Sequence, residues 1–408
     1  MKEALEEKLK GLLHTEKESD PIRSLIKAGL KNKSAFAMWR NPQAKVSHLI
    51  IDLQGTEAYK KTSLEELSQG FIFAPFNASS ETLFIHADIR FSQDQDNILI
   101  NPLFNDPEKL ENFNKCLKAE SRDHEEVQDF YVNQQEVLEA TDKADFIGLV
   151  EKGIEAIEAG EFQKIVPSRR KLIDVKDGFD LIQEFEKLAA TYPNAFVSLV
   201  SIPEYGTWLG ATPELLISLT DNKIFRTVAL AGTQPFIEGI KLSEVAWRQK
   251  EIEEQALVSR YIINCFKKIR LREFEEYGPK TVIAGNLMHL KTEFEVDIED
   301  TNFPLLSSVM LELLHPTSAV CGMPLAPSQD FLLTHENYNR SFFSGYLGPV
   351  NIDNTISLFV NLRCLQYLKQ KLILYAGAGV TASSDPQKEW DETELKCNTL
   401  LSIINRTR

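Results

Sequence analysis

Apolar positions recur in two rhythms along the chain. From 142 onward Phe146, Val150, Ile154 and Ile157 fall three or four apart behind Asp142, the stripe and cap candidate of a helix. Residues 82–89 alternate apolar and polar, as a half-buried strand does. Shorter strand-like runs precede it at 36–39, 48–53 and 70–73. Others follow at 164–168, 195–202, 207–209, 215–219, 224–229, 356–365 and 371–376. Residues 1 to about 30 read as helix, and the longest helical segment is expected from about 243 to 268. Strands cluster without regular strand–helix alternation, which predicts an α+β fold with mainly antiparallel sheet. Residues from about 105 to 140 are polar and show no convincing period, so the boundary is placed there: an N-terminal subdomain over 1–141 and a core over 142–408.

The 408-residue chain is long enough for one large or two ordinary domains. Its 43% hydrophobic and 26% charged content is that of a globular protein in water. With 45 basic against 60 acidic residues, net −15, nucleic acid and anionic membranes are poor partners. An anionic substrate would need a site made locally positive. The charged, amphipathic N-terminus has no signal-peptide core, and no apolar run approaches membrane-spanning length. The five cysteines are scattered and never in a CxxC, which predicts reduced thiols and a cytoplasmic setting.

Chemistry is densest in LYAGAGVTASSDPQKEWDETELK, residues 374–396. Its glycine-rich turn can present N–H groups to an anion, and Asp385 with Pro386 suits the start of a helix. Glu389, Glu392 and Lys396 then share one helix face. A dinucleotide fingerprint is not expected, because Asp385–Pro386 interrupts the turn-to-helix continuation and too little chain remains for a further strand and helix. Glu251 and Glu254 lie on a second acidic helix. Acidic helix faces are ordinarily solvated, but two of them converging would suit a hard cation that keeps its waters, Mg²⁺ rather than a caged metal. Lys164 reads either as an exposed strand lysine or as a desolvated general base. Glu214 enters an apolar strand, where desolvation would raise its pKa toward that of a general acid. His289 and His315 read as core histidines held by backbone carbonyls, and Arg340 as an ion-pair arginine. Arg363, amid Phe359, Val360, Leu362 and Leu365, demands an anionic partner, either a residue or a substrate carboxylate.

Taken in order, KIVPSR, GATPELL, ALAGT, EQALV, MHLKT, LLHPTSAVCG, ENYNRSFFSGYLG, VNLRC and the run at 374–396 resemble the chorismate-utilising enzymes. The resemblance covers residues 142–408. It implies two stacked, mainly antiparallel sheets surrounded by helices, with the site in a deep cleft. Position by position it makes Lys164 the base that activates water toward C2 of chorismate, and Glu214 the acid that protonates the departing C4 hydroxyl. Glu254 and Glu392 match direct Mg²⁺ ligands, and Glu389 one acting through water. Gly232, Thr233, His289, Ala319, Phe343, Leu362, Arg363, Tyr375, Gly377 and Lys396 match substrate-binding positions.

Within the family, Lys164 and HPTSAV resemble the isochorismate-forming branch serving menaquinone or siderophore synthesis. Ala231 stands where aminodeoxychorismate synthases carry lysine. The salicylate-forming and ammonia-using branches are the alternatives. The expected protein acts alone on chorismate, as a monomer without an amidotransferase subunit. Pro167, Gln255 and SFFSGYLGPV depart from the usual pattern.

Overall fold

The strand-forming runs assemble into two nine-stranded antiparallel sheets in the computed structural model. It describes residue 11 and residues 20–61, 63–93, 97–120, 130–136, 139–175, 179–236, 239–284 and 287–404. The first strands are β1 (Ala35–Arg40), β2 (Ser47–Asp52), β3 (Glu57–Tyr59), β4 (Gly70–Ala74), β5 (Thr82–His86), β6 (Ile89–Ser92) and β7 (Asn97–Ile100). Next come β8 (Lys164–Ile165), β9 (Ser168–Asp174), β10 (Phe196–Ile202), β11 (Gly206–Thr212), β12 (Leu215–Thr220) and β13 (Ile224–Pro235). The remainder are β14 (Glu275–Ala284), β15 (Leu287–Asp297), β16 (Gly322–Met323), β17 (Tyr346–Val350), β18 (Ile356–Val360), β19 (Cys364–Leu368) and β20 (Lys371–Gly377).

One sheet runs β7-β6-β2-β1-β10-β11-β19-β20-β9 and the other β14-β15-β13-β12-β18-β17-β4-β5-β3, while β8 and β16 form a small ribbon. The α+β architecture of two stacked antiparallel sheets is therefore the one present. Both sheets recruit strands from before and after residue 141, since β1 pairs with β10 and β4 with β17. The division near 141 is one of sequence character, not of separate sheets.

Strands such as β1 and β10 are buried at every position because each face meets a different layer. Between the sheets lie Trp39, Phe71, Phe73, Phe196, Trp208 and Phe359, with Phe196 of one sheet stacked on Phe359 of the other at 4.2 Å. Helices Pro21–Lys31, Pro107–Glu120, Leu181–Thr191 and the inner face of Pro386–Ile404 cover the first sheet. Helices Gln249–Lys268 and Leu306–Leu314 cover the second. Each large side chain buried this way contributes roughly 1.5–3 kcal/mol.

Several expectations shift in physically informative ways. The helix expected over 1–30 lies mostly outside the described residues, and the described helix starts at Pro21, where Asp20 accepts from the Ile22 N–H at 3.0 Å. The segment at 105–140 holds a helix after all, Pro107–Glu120, with Leu110, Phe113 and Leu117 buried on one face. The run 82–89 breaks into β5 and β6, and 164–168 into β8 and β9 around Pro167. The run 356–365 is also two strands. β18 belongs to one sheet and β19 to the other, so the chain changes sheets at residues 361–363. It also changes sheets at Pro213–Glu214, between β11 and β12, as it does earlier between β2 and β3 and between β5 and β6. The crossings at 213–214 and 361–363 touch: the Val360 N–H donates to the Glu214 carbonyl at 2.9 Å and the Ala211 N–H to that of Arg363 at 3.1 Å. Corners where strands switch sheets interrupt the ladders and re-aim side chains.

Candidate active site

Beside these crossings is a cavity of about 570 Å³, in the range of small-molecule sites. Lys164, Glu214, Gly232, Thr233, His289, Ala319, Phe343, Leu362, Arg363, Tyr375, Gly377, Lys396, Glu254, Glu389 and Glu392 all line it. Every catalytic, substrate-binding and metal position that the resemblance assigns thus faces one space. The elements that bring them there are unlike one another: the β8 ribbon, two crossovers, the β13–β15 pair and two helices.

Lys164 stands at the start of β8, opposite Met323 of β16, with its side chain alongside Gly379. Burial lowers its pKa; Glu254, Glu214 and Glu392 oppose that shift, and Lys396 adds to it. Glu214 occupies the β11–β12 crossing, and burial raises its carboxyl to about 7 against the pull of Lys164, Lys396 and Arg363. No salt bridge joins Lys164 to Glu214, so the cavity separates them. Arg363 sits in the crossing at 361–363 with φ +47°, a left-handed conformation that costs a non-glycine residue about 1–3 kcal/mol. Burial lowers its pKa, and among the described residues its guanidinium has no salt bridge or side-chain hydrogen bond. None of the described residues supplies the anionic partner that the sequence demands by a salt bridge or side-chain hydrogen bond.

His289 is held at its inner nitrogen. Its Nδ1 lies 3.0 Å from the Gly232 carbonyl and 3.2 Å from the Thr233 hydroxyl. Burial lowers its pKa to about 4, so the ring is neutral near pH 7. A carbonyl only accepts, so the proton resides on Nδ1 and donates to Gly232. Nε2 is then a lone-pair acceptor, buried and without a hydrogen-bond partner among the described residues. Gly232 interrupts the β13–β15 register at φ +65°, and a Cβ there would meet that of Glu251 at 3.0 Å. Only glycine lets the Gln249–Lys268 helix come this close. Gln255 anchors that helix, donating to the Ala229 carbonyl at 3.2 Å and the Thr292 hydroxyl at 2.9 Å. His315 is sealed away, its Nε2 on the Pro75 carbonyl at 3.1 Å. Phe343 and Tyr375 stack at 5.3 Å to form one wall.

The glycine-rich run borders the cavity at Gly377 and Gly379 and is tied to its neighbours by the residues between and after them. The Ala378 and Val380 N–H groups donate to the carbonyls of Pro167 and Ile165, and the Gly377 carbonyl accepts from Lys396 Nζ at 2.7 Å. These bonds hold the β8–β9 connection and Lys396. The helix after it begins as expected, with Asp385 accepting from the Lys388 N–H at 3.1 Å.

Glu254 faces the cavity from one helix, Glu389 and Glu392 from another. Glu392 is paired with Lys396 at 2.8 Å, which lowers its pKa; burial and the charge of Glu392 raise that of Glu389. Among the described residues no three His, Cys, Asp or Glu side chains stand close enough to hold a metal ion by themselves. The set is all oxygen and opens onto a shared space, which fits a cation such as Mg²⁺ that takes one or two carboxylates and keeps water or substrate oxygens. At the rim, Arg248, Lys250 and Lys388 add positive charge that the sequence reading missed, and Lys250 lowers both Glu389 and Glu392. Its place one turn before Glu254 was the available signal.

A model of the family described as chorismate binding enzyme matches residues 39–405. The chain is 28% identical over 294 residues to the isochorismate synthase DhbC of Bacillus subtilis (strain 168), covering 69% of this chain and 73% of that protein. It is 26% identical over 304 residues to the isochorismate synthase EntC of Escherichia coli (strain K12), covering 73% and 76%. The solved structure of MenF, the menaquinone-specific isochorismate synthase from Escherichia coli, superposes with a TM-score of 0.73 at 17% identity over 98% of this chain and 99% of that one.

Proposed function

The chain belongs to the chorismate binding enzyme family, and on that premise we propose that it is an isochorismate synthase, converting chorismate to isochorismate with Mg²⁺. The observation that carries the proposal is the Lys164–Glu214 pair. A lysine whose pKa is lowered and a carboxyl raised to about 7 face one cavity without a salt bridge between them. Burial disfavours the charged form of both, so at neutral pH the lysine is biased toward accepting a proton and the glutamate toward giving one.

The reaction follows from that bias. With the ring between them, Lys164 Nζ takes a proton from water as its oxygen bonds to C2. The two ring double bonds shift one position and the C4–oxygen bond breaks. Glu214 delivers its proton to the departing hydroxyl, which leaves as water. Product release then lets Lys164 lose, and Glu214 regain, a proton. Arg363 takes the enolpyruvyl carboxylate as its missing partner, in the bidentate geometry suited to guanidinium. His289 Nε2 accepts from a substrate hydroxyl. Mg²⁺, held by Glu254 and Glu392 with Glu389 acting through water, would neutralise and orient the ring carboxylate.

The described cysteines are all free, and no described helix is long and apolar enough to cross a membrane. The reading places the enzyme in the cytoplasm as a monomer without an amidotransferase subunit, feeding menaquinone or siderophore synthesis. Chromatography of the products from chorismate and Mg²⁺ tests the proposal. Isochorismate is the expected product, and salicylate with pyruvate, or anthranilate when ammonium is present, would overturn it.

A further inference from the structure

The helix Pro386–Ile404 must present Glu389, Glu392 and Lys396 to the cavity at one rotation about its axis. Side chains stand about 5–6 Å from a helix axis, so a turn of only about 20° displaces a carboxylate by roughly 2 Å. Mg²⁺ binds oxygen at about 2.0–2.1 Å and tolerates little distortion. Something must fix the rotation, and hydrophobic packing alone is permissive of such slips.

Arg169 on β9 touches this helix on a second face, roughly a third of a turn from the cavity face. It is 2% exposed. Its Nε donates to the Thr393 hydroxyl at 2.6 Å, its Nη2 pairs with Glu394, and its guanidinium carbon lies 3.9 Å from the centre of the Trp390 ring. The Thr393 hydroxyl in turn donates to the Trp390 carbonyl at 2.7 Å, so its lone pair is aimed at Arg169. Lys171 takes the other oxygen of Glu394 at 2.6 Å. Arg169 is itself held in register opposite Ala376, next to the Ser168–Gly377 pair. Gly377 is where Lys396 docks from the cavity side. One strand pair thus grips the helix on two faces.

We infer that Arg169 is a positioning residue, setting the helix rotation that aims Glu389 and Glu392 across the cavity toward Glu254. The inference rests on the metal reading given above. Planar, five-donor guanidinium can stack on Trp390 while bonding Thr393 and Glu394; a lysine ammonium cannot do all three. The expected loss is in metal affinity, by about 10- to 100-fold, as for other groups that orient metal ligands.

The test uses Mn²⁺ alone as the probe, with free ion counted by electron paramagnetic resonance in the absence of chorismate. For Arg169→Lys and Glu394→Gln, the Mn²⁺ Kd should rise by about tenfold or more while the number of sites per total protein stays that of the wild type. A residue serving stability alone would lower the number of sites and leave the Kd unchanged. Should Arg169→Lys fail to fold, Glu394→Gln, altered at a partly exposed partner, decides the matter. Wild-type protein that binds no Mn²⁺ overturns the metal reading. Wild-type binding with an unchanged Kd in the folded variants overturns the role given to Arg169.

Discussion

Arg340 is buried and Arg363 half-buried, both bordering the cavity, yet their bonding partners differ. Arg340 is bonded throughout to protein. Its Nε donates to Glu336 at 2.7 Å, and its terminal nitrogens reach the carbonyls of Val320 at 2.9 Å and Val166 at 2.7 Å. Burial alone would lower its pKa, but the Glu336 carboxylate reverses the shift. Arg363 has no such partner among the described residues, sits at a left-handed backbone position, and has its pKa lowered by burial. A buried charge whose counter-ion belongs to the chain is architecture. One without a counter-ion among the described residues, on a strained backbone beside a cavity, is what the proposed anion seat requires.

The sharpest way to break this contrast is to remove each charge. Arg340→Met strands Glu336 and should destabilise the fold by about 3–5 kcal/mol, measured by urea unfolding. A loss under about 1 kcal/mol would show that the pair is dispensable. Next in size, Glu214→Gln should lower kcat by roughly 10²-fold or more with chorismate binding largely kept. Unchanged kcat at saturation with lost binding would make Glu214 a binding group. Arg363→Met should leave the melting temperature equal or higher but raise the chorismate KM about 30-fold or more, the loss of at least about 2 kcal/mol expected when one partner of a buried charge pair is removed. If Arg363→Met instead unfolds like Arg340→Met, the two arginines are alike and the contrast fails.

How much of this could be read from the chain depended on whether the signal was local. Asp142 with its apolar stripe and Asp385–Pro386 both fall where the helices begin, because caps and periodicity act within one turn. The β14–β15 hairpin was missed although Met288, Leu290, Phe294 and Val296 alternate on its buried face. The charged edge strand β14 and the short spacing hid it. The sheet change at 361–363 was invisible for another reason: apolar residues continue through it because both sheets share one core. Arg363 was the interruption that marked it. The cavity residues were legible as motifs, but burial and pairing, which separate Arg363 from Arg340, arise only from contacts across the fold.

The smallest effect is graded with pH. Glu214 acts only when protonated, so activity should hold below its pKa of about 7 and fall about tenfold per unit above it. Lys164 acts only when neutral, so activity should rise with pH through its lowered pKa. The profile is then a bell whose limbs belong to the coupled pair. Glu214→Gln should abolish the alkaline fall in whatever activity remains. An alkaline limb retained in that variant would assign it elsewhere.

The central claim is that water activated by Lys164 enters at C2 while the C4 hydroxyl leaves. Mass spectrometry of the product formed in H₂¹⁸O tests it most directly. Wild-type protein with Mg²⁺ should give isochorismate carrying solvent oxygen at C2, and Lys164→Ala should give essentially none. Unlabelled isochorismate from the wild type, or undiminished labelled product from Lys164→Ala, would contradict the account.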